Sequence, residues 1–446
     1  MLEWANRYIV GVAVPFFLVV AGCWFAIYLK APHIRHPIKL MKEMKRGGGE
    51  SMRAMLLALG GTLGVGNMVG VSAAIVMGGA GSVLWMCVSA LFAMILKYAE
   101  IVLAMTHKRF VGEKCKSGAV YYISDILEKV GAVKVGKILS VLFAVFCLLV
   151  ALSMGGMIQS EAAVGAVENA FGIPSLFVGG AIALLAFFVM KKGKSGIMGV
   201  TDKLVPFMTV GFAVLSLAVI IKKREELPRV IGQIFSEAVS PEAAASGIFG
   251  YVFSSSVRYG VMRGLISNEA GCGTSPMAHG NGSGRSSAAG QGAFGIVEVF
   301  VDTVLLCTMT ALVILLDGSY IYSDGKDLIG VTVRAYSSVL GERAEEFMAL
   351  AVLSFAVATV VCWGYYAIEC TEFLFKEKRW TKTILPILYA SAIVSVSVYD
   401  GDLHWQIADL SLGIMTLINI LVLFLGRGEI KRETEQVLGI DRNKIR

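Results

Sequence analysis

The chain has 446 residues, 56% of them hydrophobic and only 16% charged, with a mean hydropathy of +0.72. Soluble domains carry roughly 25% charged residues, so this composition excludes an ordinary soluble fold. Its 40 Lys and Arg against 33 acids give a net charge of +7, and the placement of those cations along the chain accounts for the excess without a nucleic-acid partner.

Apolar runs of about 20 residues recur from end to end, the length a helix needs to cross hydrocarbon. They predict an all-α polytopic membrane protein with eleven transmembrane helices. The spans fall at about 8–29, 53–77, 80–106, 136–165, 173–190, 201–221, 246–266, 292–316, 345–366, 383–399 and 404–426. No basic segment precedes the first run, so it reads as a retained span and not a cleaved signal peptide. Eight scattered cysteines form no CxxC pair, and most lie within spans. They read as small core residues.

The second run contains Gly60-Gly61-Thr62-Leu63-Gly64-Val65-Gly66-Asn67-Met68-Val69-Gly70-Val71-Ser72. Each glycine costs a helix about 1 kcal/mol relative to alanine, so five within residues 60–70 favour interruption. Broken backbone at membrane depth exposes N–H and C=O groups that can hold a carboxylate or a small cation. The same residues also read as close helix packing, because Gly60/Gly64 and Gly66/Gly70 are both GxxxG pairs. Composition leaves both readings open.

Basic residues in the connections set the orientation. The loops 30–53, 107–137, 191–203, 263–291 and 376–382, with the segment from 427, hold 30 Lys and Arg; the opposite connections hold 8. The positive-inside rule places the first set in the cytoplasm, with the N-terminus outside and the C-terminus inside. The cluster Lys222–Arg224 runs against the bias.

One leading span followed by ten divides the rest into five and five. An odd number per half inverts the second half relative to the first, the arithmetic of an inverted repeat. The expected organisation is a leading helix and basic cytoplasmic loop at 1–52, then a first five-helix repeat at 53–222. An extracellular connection at 223–245 leads to a second, inverted repeat at 246–426, followed by a cytoplasmic tail at 427–446. Interrupted helices are expected first in each half. The second half opens on Ser246-Gly247-Ile248-Phe249-Gly250-Tyr251-Val252-Phe253-Ser254-Ser255-Ser256, rich in small and hydroxyl residues.

Ionisable groups within spans are functional candidates because they are costly to place there. Lys97 and Glu100 lie three apart on one face and read as an internal ion pair. Gln159 offers donors and an acceptor for a substrate ammonium or carboxylate, or a helix-packing amide. Glu298 and Asp302, spaced i, i+4, read as a cation path or as a structural pair. Arg258 is expected to snorkel toward the interface. Thr359 and Trp363, also i, i+4, put a hydroxyl and a large aromatic on one face. A mid-span threonine usually bonds its own backbone; beside free carbonyls of a broken helix it becomes a hard-oxygen Na⁺ ligand. The five histidines lie in loops or at span ends, and there is no HExxH, GxSxG or P-loop. Neither an enzyme nor an ATP-driven pump is encoded in these motifs.

Several motifs, in one order over roughly 50–426, resemble the alanine or glycine:cation symporters. Gly64-Val65-Gly66-Asn67-Met68-Val69-Gly70-Val71 is similar to that family's GTGNIAGV run. Arg263-Gly264-Leu265-Ile266-Ser267-Asn268-Glu269-Ala270-Gly271 with Ser275-Pro276-Met277-Ala278-His279 is similar to its RGLFSNEAG…APIAH loop. Val299-Phe300-Val301-Asp302-Thr303 with Cys307-Thr308-Met309-Thr310-Ala311-Leu312 matches its VFIDT…CTMTALVIL span, and Trp363-Gly364-Tyr365-Tyr366 its W-x-Y-Y motif.

The resemblance implies the leucine-transporter-type fold and Na⁺-coupled uptake of alanine or glycine. It assigns Asn67 and the backbone of Gly64–Gly66 to the substrate carboxylate and Gln159 to substrate contact. The expected substrate site is Gly64, Gly66, Asn67, Gln159, Phe253, Ser254 and Trp363; the expected Na⁺ ligands are Gly60, Leu63, Ala358 and Thr359. Val65 stands where Thr is common, Glu161 where Asn is usual, and Ser254–Ser256 make the second break hydroxyl-rich. An H⁺-coupled transporter using Glu161 or Glu269 is one alternative. A non-transporting amino-acid receptor is another, disfavoured by a tail of only about 20 residues, too short for a signalling domain.

Overall fold

The computed structural model describes residues 2–111, 114–239, 255–280, 286–323, 325, 327–341, 343–376, 378–399, 401 and 403–439. Its long elements are helices: α1 (Tyr8–Tyr28), the short α2 (Pro37–Arg46), α3 (Gly48–Thr62), α4 (Gly66–Gly78) and α5 (Ser82–Thr106). A small antiparallel hairpin follows, β1 (Arg109–Val111) with β2 (Lys114–Lys116), in the register Phe110↔Cys115. Next come α6 (Ala119–Lys129), α7 (Val133–Phe171), α8 (Ser175–Lys191), α9 (Gly193–Lys222) and α10 (Leu227–Ala238). The described second half holds α11 (Ser255–Ser267), the one-turn α12 (Ser275–His279), α13 (Ala288–Asp317) and α14 (Leu328–Leu340). It ends with α15 (Arg343–Phe375), α16 (Thr381–Ser395), α17 (Leu403–Leu425) and α18 (Arg427–Leu438).

Among the described residues, seven helices are long and apolar enough to span a membrane, or eight if the bent pair α3–α4 is one span. The expected spans at 173–190 and 383–399 coincide with α8 and α16, which are shorter, at 17 and 15 residues. α11 is the described part of the span expected at 246–266. Phe253 and Ser254, with the second break expected around them, lie outside the described residues.

Packing sorts the helices by side-chain size and polarity. α5 is central, with its apolar window 78% buried, and it packs on α11 and α13. α9 is peripheral, 28% buried, and turns Phe207, Val210 and Val214 outward. In a bilayer such faces meet acyl chains, which are as apolar as they are. The segment after 427 is not an extended tail. It folds as α18 and docks on the body through Lys129 Nζ, 2.6 Å from Glu429 Oε1, and His107 Nε2, 3.0 Å from Glu429 Oε2.

Besides Asn6–Ala13 around the start of α1, π-helical stretches interrupt two long helices midway, Ala151–Ile158 in α7 and Phe300–Cys307 in α13. Wider turns of this kind shift the register of the side chains that follow. The two midway stretches sit where α7 delivers Gln159 and α13 delivers Asp302 and Thr303 to the interior. Within the α7 stretch, Gly155 lets α15 approach. A Cβ built there would lie 2.3 Å from the Cβ of fully buried Trp363. Gly155→Val should therefore overpack this crossing by about 1–3 kcal/mol. A thermal-shift measurement in detergent should show a lowered midpoint, while Gly165→Ala, whose Cβ would meet nothing within 4 Å, should leave it unchanged.

Candidate functional site

The glycine-rich run breaks its span. α3 ends at Thr62, Leu63 leaves helical geometry at ψ 74°, and α4 restarts at Gly66 with a bend of 46°. Leu63 N–H still reaches Leu59 O at 2.7 Å, and Gly64 N–H closes a tight turn onto Thr62 O at 2.8 Å. The remaining groups need outside partners, because unpaired backbone at membrane depth is costly.

Two neighbouring helices supply them. Thr359 Oγ1 on α15 lies 3.1 Å from Gly60 O and 3.2 Å from Leu63 O. Gln159 Oε1 on α7 accepts the N–H of Val65 at 3.0 Å, while its Nε2 donates to Met154 O at 3.3 Å in the π-helical stretch. Of the two readings of Thr359, its own helix or the broken one, the hydroxyl follows the second and crosses to the break. Ala358, fully buried, precedes it on α15.

Each glycine of the run has a different reason. A Cβ on Gly60 would lie 2.7 Å from Cys362 Sγ, which is helix packing. A Cβ on Gly64 would lie 2.8 Å from Gln159 Oε1 and 2.9 Å from Thr359 Oγ1, so only glycine lets both polar side chains reach the backbone. Gly66 is exposed, with nothing within 4 Å of its Cβ position. It opens α4, where the N–H groups of Asn67 and Met68 already bond Gly64 O at 3.2 Å and Val65 O at 2.9 Å, so what favours an anion there is the positive end of the helix dipole.

Asn67 follows at once, and its amide is turned to α13. Asn67 Nδ2 donates to Asp302 Oδ1 at 2.8 Å; Thr303 Oγ1 and Ser267 Oγ approach Asp302 Oδ2 at 2.8 and 3.3 Å. This buried carboxylate binds α4, α11 and α13 at one point. Trp363 stands one turn beyond Thr359, fully buried and edge-on to Tyr366 with ring centroids 5.3 Å apart. Its indole Nε1 and the Tyr366 hydroxyl have no hydrogen-bond partner among the described residues.

Other buried charges form their own networks. Lys97 and Glu100 do not pair with each other. Lys97 Nζ lies 3.0 Å from Glu298 Oε1 and donates to Ser275 Oγ at 2.6 Å, all buried. His279 Nε2 stands 3.1 Å from Glu298 Oε2, and Gln291 Nε2 lies 2.8 Å from His279 Nδ1. Glu100 Oε1 instead accepts from Asn419 Nδ2 at 2.6 Å and Gly273 N at 3.2 Å. Glu298 and Asp302 likewise join separate networks, because the π-helical stretch after Val299 ends the simple i, i+4 face. Glu161, at the far end of α7, meets His404 at 3.0 Å and Trp405 at 3.1 Å. Arg258 stacks over Tyr259, 4.7 Å from the ring centroid.

A span broken at membrane depth, with its loose backbone held by polar side chains from two other helices, defines a helical membrane transporter and not an enzyme. The chain belongs to the sodium:alanine symporter family, whose model matches residues 1–439. It is 32% identical over 415 residues to the sodium/alanine symporter AgcS of Methanococcus maripaludis, covering 92% of this chain and 88% of that one. It is 32% identical over 422 residues to the amino-acid carrier protein AlsT of Bacillus subtilis, covering 92% and 86%. Its fold is similar to that of MhsT, solved with L-phenylalanine, at a TM-score of 0.57 and 12% identity, over 86% of this chain and 91% of that one. The architecture is thus the leucine-transporter type.

Removing one partner of a buried ion pair strands the other charge, at a cost of about 3–5 kcal/mol. Lys97→Met should sharply lower the thermal midpoint in detergent. Lys97→Met combined with Glu298→Met should recover much of the loss. If the double variant were no more stable than the single, the pair would not be the stabilising contact.

Proposed function

We propose that this protein is a Na⁺-coupled symporter of small neutral amino acids, alanine and glycine, working by alternating access. It would lie in the cell membrane with the N-terminus outside and the C-terminus cytoplasmic, as the basic loops favour. The observation that carries the reading is the oxygen cluster at the break: Gly60 O, Leu63 O and Thr359 Oγ1 within 3.2 Å. One hydroxyl proton cannot satisfy two carbonyls, so the cluster has acceptor capacity in excess. A small hard cation takes up that excess without a full countercharge, and the Ala358 carbonyl is the adjacent further ligand. The relative AgcS bears the name of a sodium/alanine symporter, which agrees.

The substrate carboxylate fits the exposed start of α4 at Gly66, facing the positive end of the helix dipole, with Gln159 bracing the break at Val65. Asn67 would contribute through its tie to Asp302, and Trp363 would close the apolar side. Because ion and substrate share one short segment, binding of either orders the backbone for the other, and the coupling is reciprocal.

Labelled alanine uptake into proteoliposomes tests the reading. Uptake should require an inward Na⁺ gradient and vanish without one. Thr359→Val keeps the shape and removes the oxygen, so half-maximal uptake should need at least tenfold more Na⁺, with alanine affinity falling in step. Unaltered Na⁺ dependence would move the ion elsewhere. Gly66→Leu should abolish binding in a protein that still folds, since no packing contact is disturbed.

Trp363→Ala should admit larger substrates. Apolar discrimination by a methylene is worth only about 1–3 kcal/mol, so rejection of leucine must be steric. Valine and leucine should compete with labelled alanine in the variant and not in the wild type. An unchanged competition profile would make Trp363 a packing residue only.

A proton-coupled reading has one observation in its favour, at Glu269. This residue lies in the connection after α11, is 1% exposed, and has one oxygen held by Thr274 Oγ1 at 2.7 Å and the other unpartnered among the described residues. Burial pushes its carboxyl up to about 7, against the pull of Lys97. Uptake driven by a pH gradient without Na⁺, and lost in Glu269→Gln, would favour it over Na⁺.

A further inference from the structure

On the basic face, where α8 turns into α9, a cavity of about 490 Å³ opens between these helices and the facing ends of α15 and α16. Four lysines line it, Lys191, Lys192, Lys194 and Lys382, against one acid, Glu372. Lys194 is already tied to Glu369 and lies 3.8 Å from Glu372. Lys192 and Lys382 are exposed and make no ion pair among the described residues. The cavity floor is apolar, formed by Met190, Leu385 and Pro386.

A hydroxyl marks the inner wall. Thr371 is 5% exposed, and its Oγ1 has no hydrogen-bond partner among the described residues. Other buried helical threonines find a partner, for example the carbonyl four residues back, as Thr310 does at Leu306 O at 2.9 Å and Thr416 at Leu412 O at 2.8 Å, or another helix, as Thr359 does. Thr371 does not, and it lines the cavity. It stands twelve residues from Thr359 on the same helix, roughly 18 Å at the helical rise. The cavity is therefore distinct from the broken span.

A second cavity continues along the seam of the same helix pair. It is an open groove of about 550 Å³ between α8 and α16, with Ala183 and Ala390 lining it and Leu184, Phe187 and Ile387 beside them. Along α16 the two cavities run from Thr381 to Ser395, about 21 Å. A cationic rim with a buried free hydroxyl, joined to a membrane-depth apolar groove, has the two-part chemistry of an acidic amphiphile.

We propose that this seam is a binding site for an anionic phospholipid. The phosphate lies at Lys192 and Lys382 with Thr371 donating to it, and one acyl chain lies in the α8–α16 groove. A soluble phosphate would use the rim alone and leave the groove without purpose. A zwitterionic lipid would gain little from the surplus of lysines, whereas each basic residue at a membrane surface favours anionic lipid.

Native mass spectrometry of the full chain in detergent, titrated with phosphatidylglycerol or phosphatidylcholine, tests this. Wild type should retain phosphatidylglycerol in preference to phosphatidylcholine. Lys192→Gln with Lys382→Gln should weaken phosphatidylglycerol binding about fivefold per lysine. Ala390→Phe, which fills the groove and leaves the rim intact, should weaken it several-fold as well, and Ser391→Phe serves if that variant fails to fold. Inorganic phosphate at millimolar concentration should not compete. Equal retention of both lipids by wild type, unchanged retention in the double lysine variant, or displacement by inorganic phosphate would each overturn the site.

Discussion

The structure depends on a break in one span at Leu63–Val65, which hands Leu63 O and the Val65 N–H to side chains of other helices. Between Thr62 and Gly66 the helical ladder stops inside the protein. In water that costs little; at membrane depth each orphaned group costs several kcal/mol. The chain meets the demand with Thr359 from α15 and Gln159 from α7. Both are placed by long helices whose own positions depend on close packing, of which Gly155 under Trp363 is the tightest point. The break is thus a property of three helices together.

A second constraint acts on the other side of α5. Lys97 and Glu100 are fully buried, and burial of a charge is tolerated only with partners. Lys97 draws in Glu298 and Ser275, while Glu100 draws in Asn419 and the backbone of Gly273. These contacts pull the one-turn helix α12 and the loop before it into the core, and they join α5, α13 and α17.

The two polar systems meet but do not merge. Asp302 ties α4 to α11 and α13 through Asn67, Ser267 and Thr303. Glu298, one helical turn away on α13, belongs to the Lys97 system. The π-helical stretch Phe300–Cys307 separates them by changing the register between one carboxylate and the next. The two networks then lie side by side on one helix without sharing side chains.

The sequence by itself determined the class and marked the glycine run at 60–70 as either a break or a close packing seam; the structure decided for the break. Apolar run length is a one-dimensional quantity, and so is a cluster of glycines, because helix length and local propensity depend on near neighbours alone. The motifs around Gly64, Asn268 and Trp363 were likewise legible as contiguous strings. Pairing was not. The i, i+3 spacing of Lys97 and Glu100 pointed to a local ion pair, and the i, i+4 spacing of Glu298 and Asp302 to a shared face. Tertiary structure sent all four elsewhere, since in a low-dielectric interior a charge goes to whichever partner packing can bring closest. The contact of Thr359 with the break spans almost 300 residues of sequence, and the basic seam between α8 and α16 joins segments about 200 residues apart. No spacing rule encodes such contacts, because they exist only once the helices have been laid against each other.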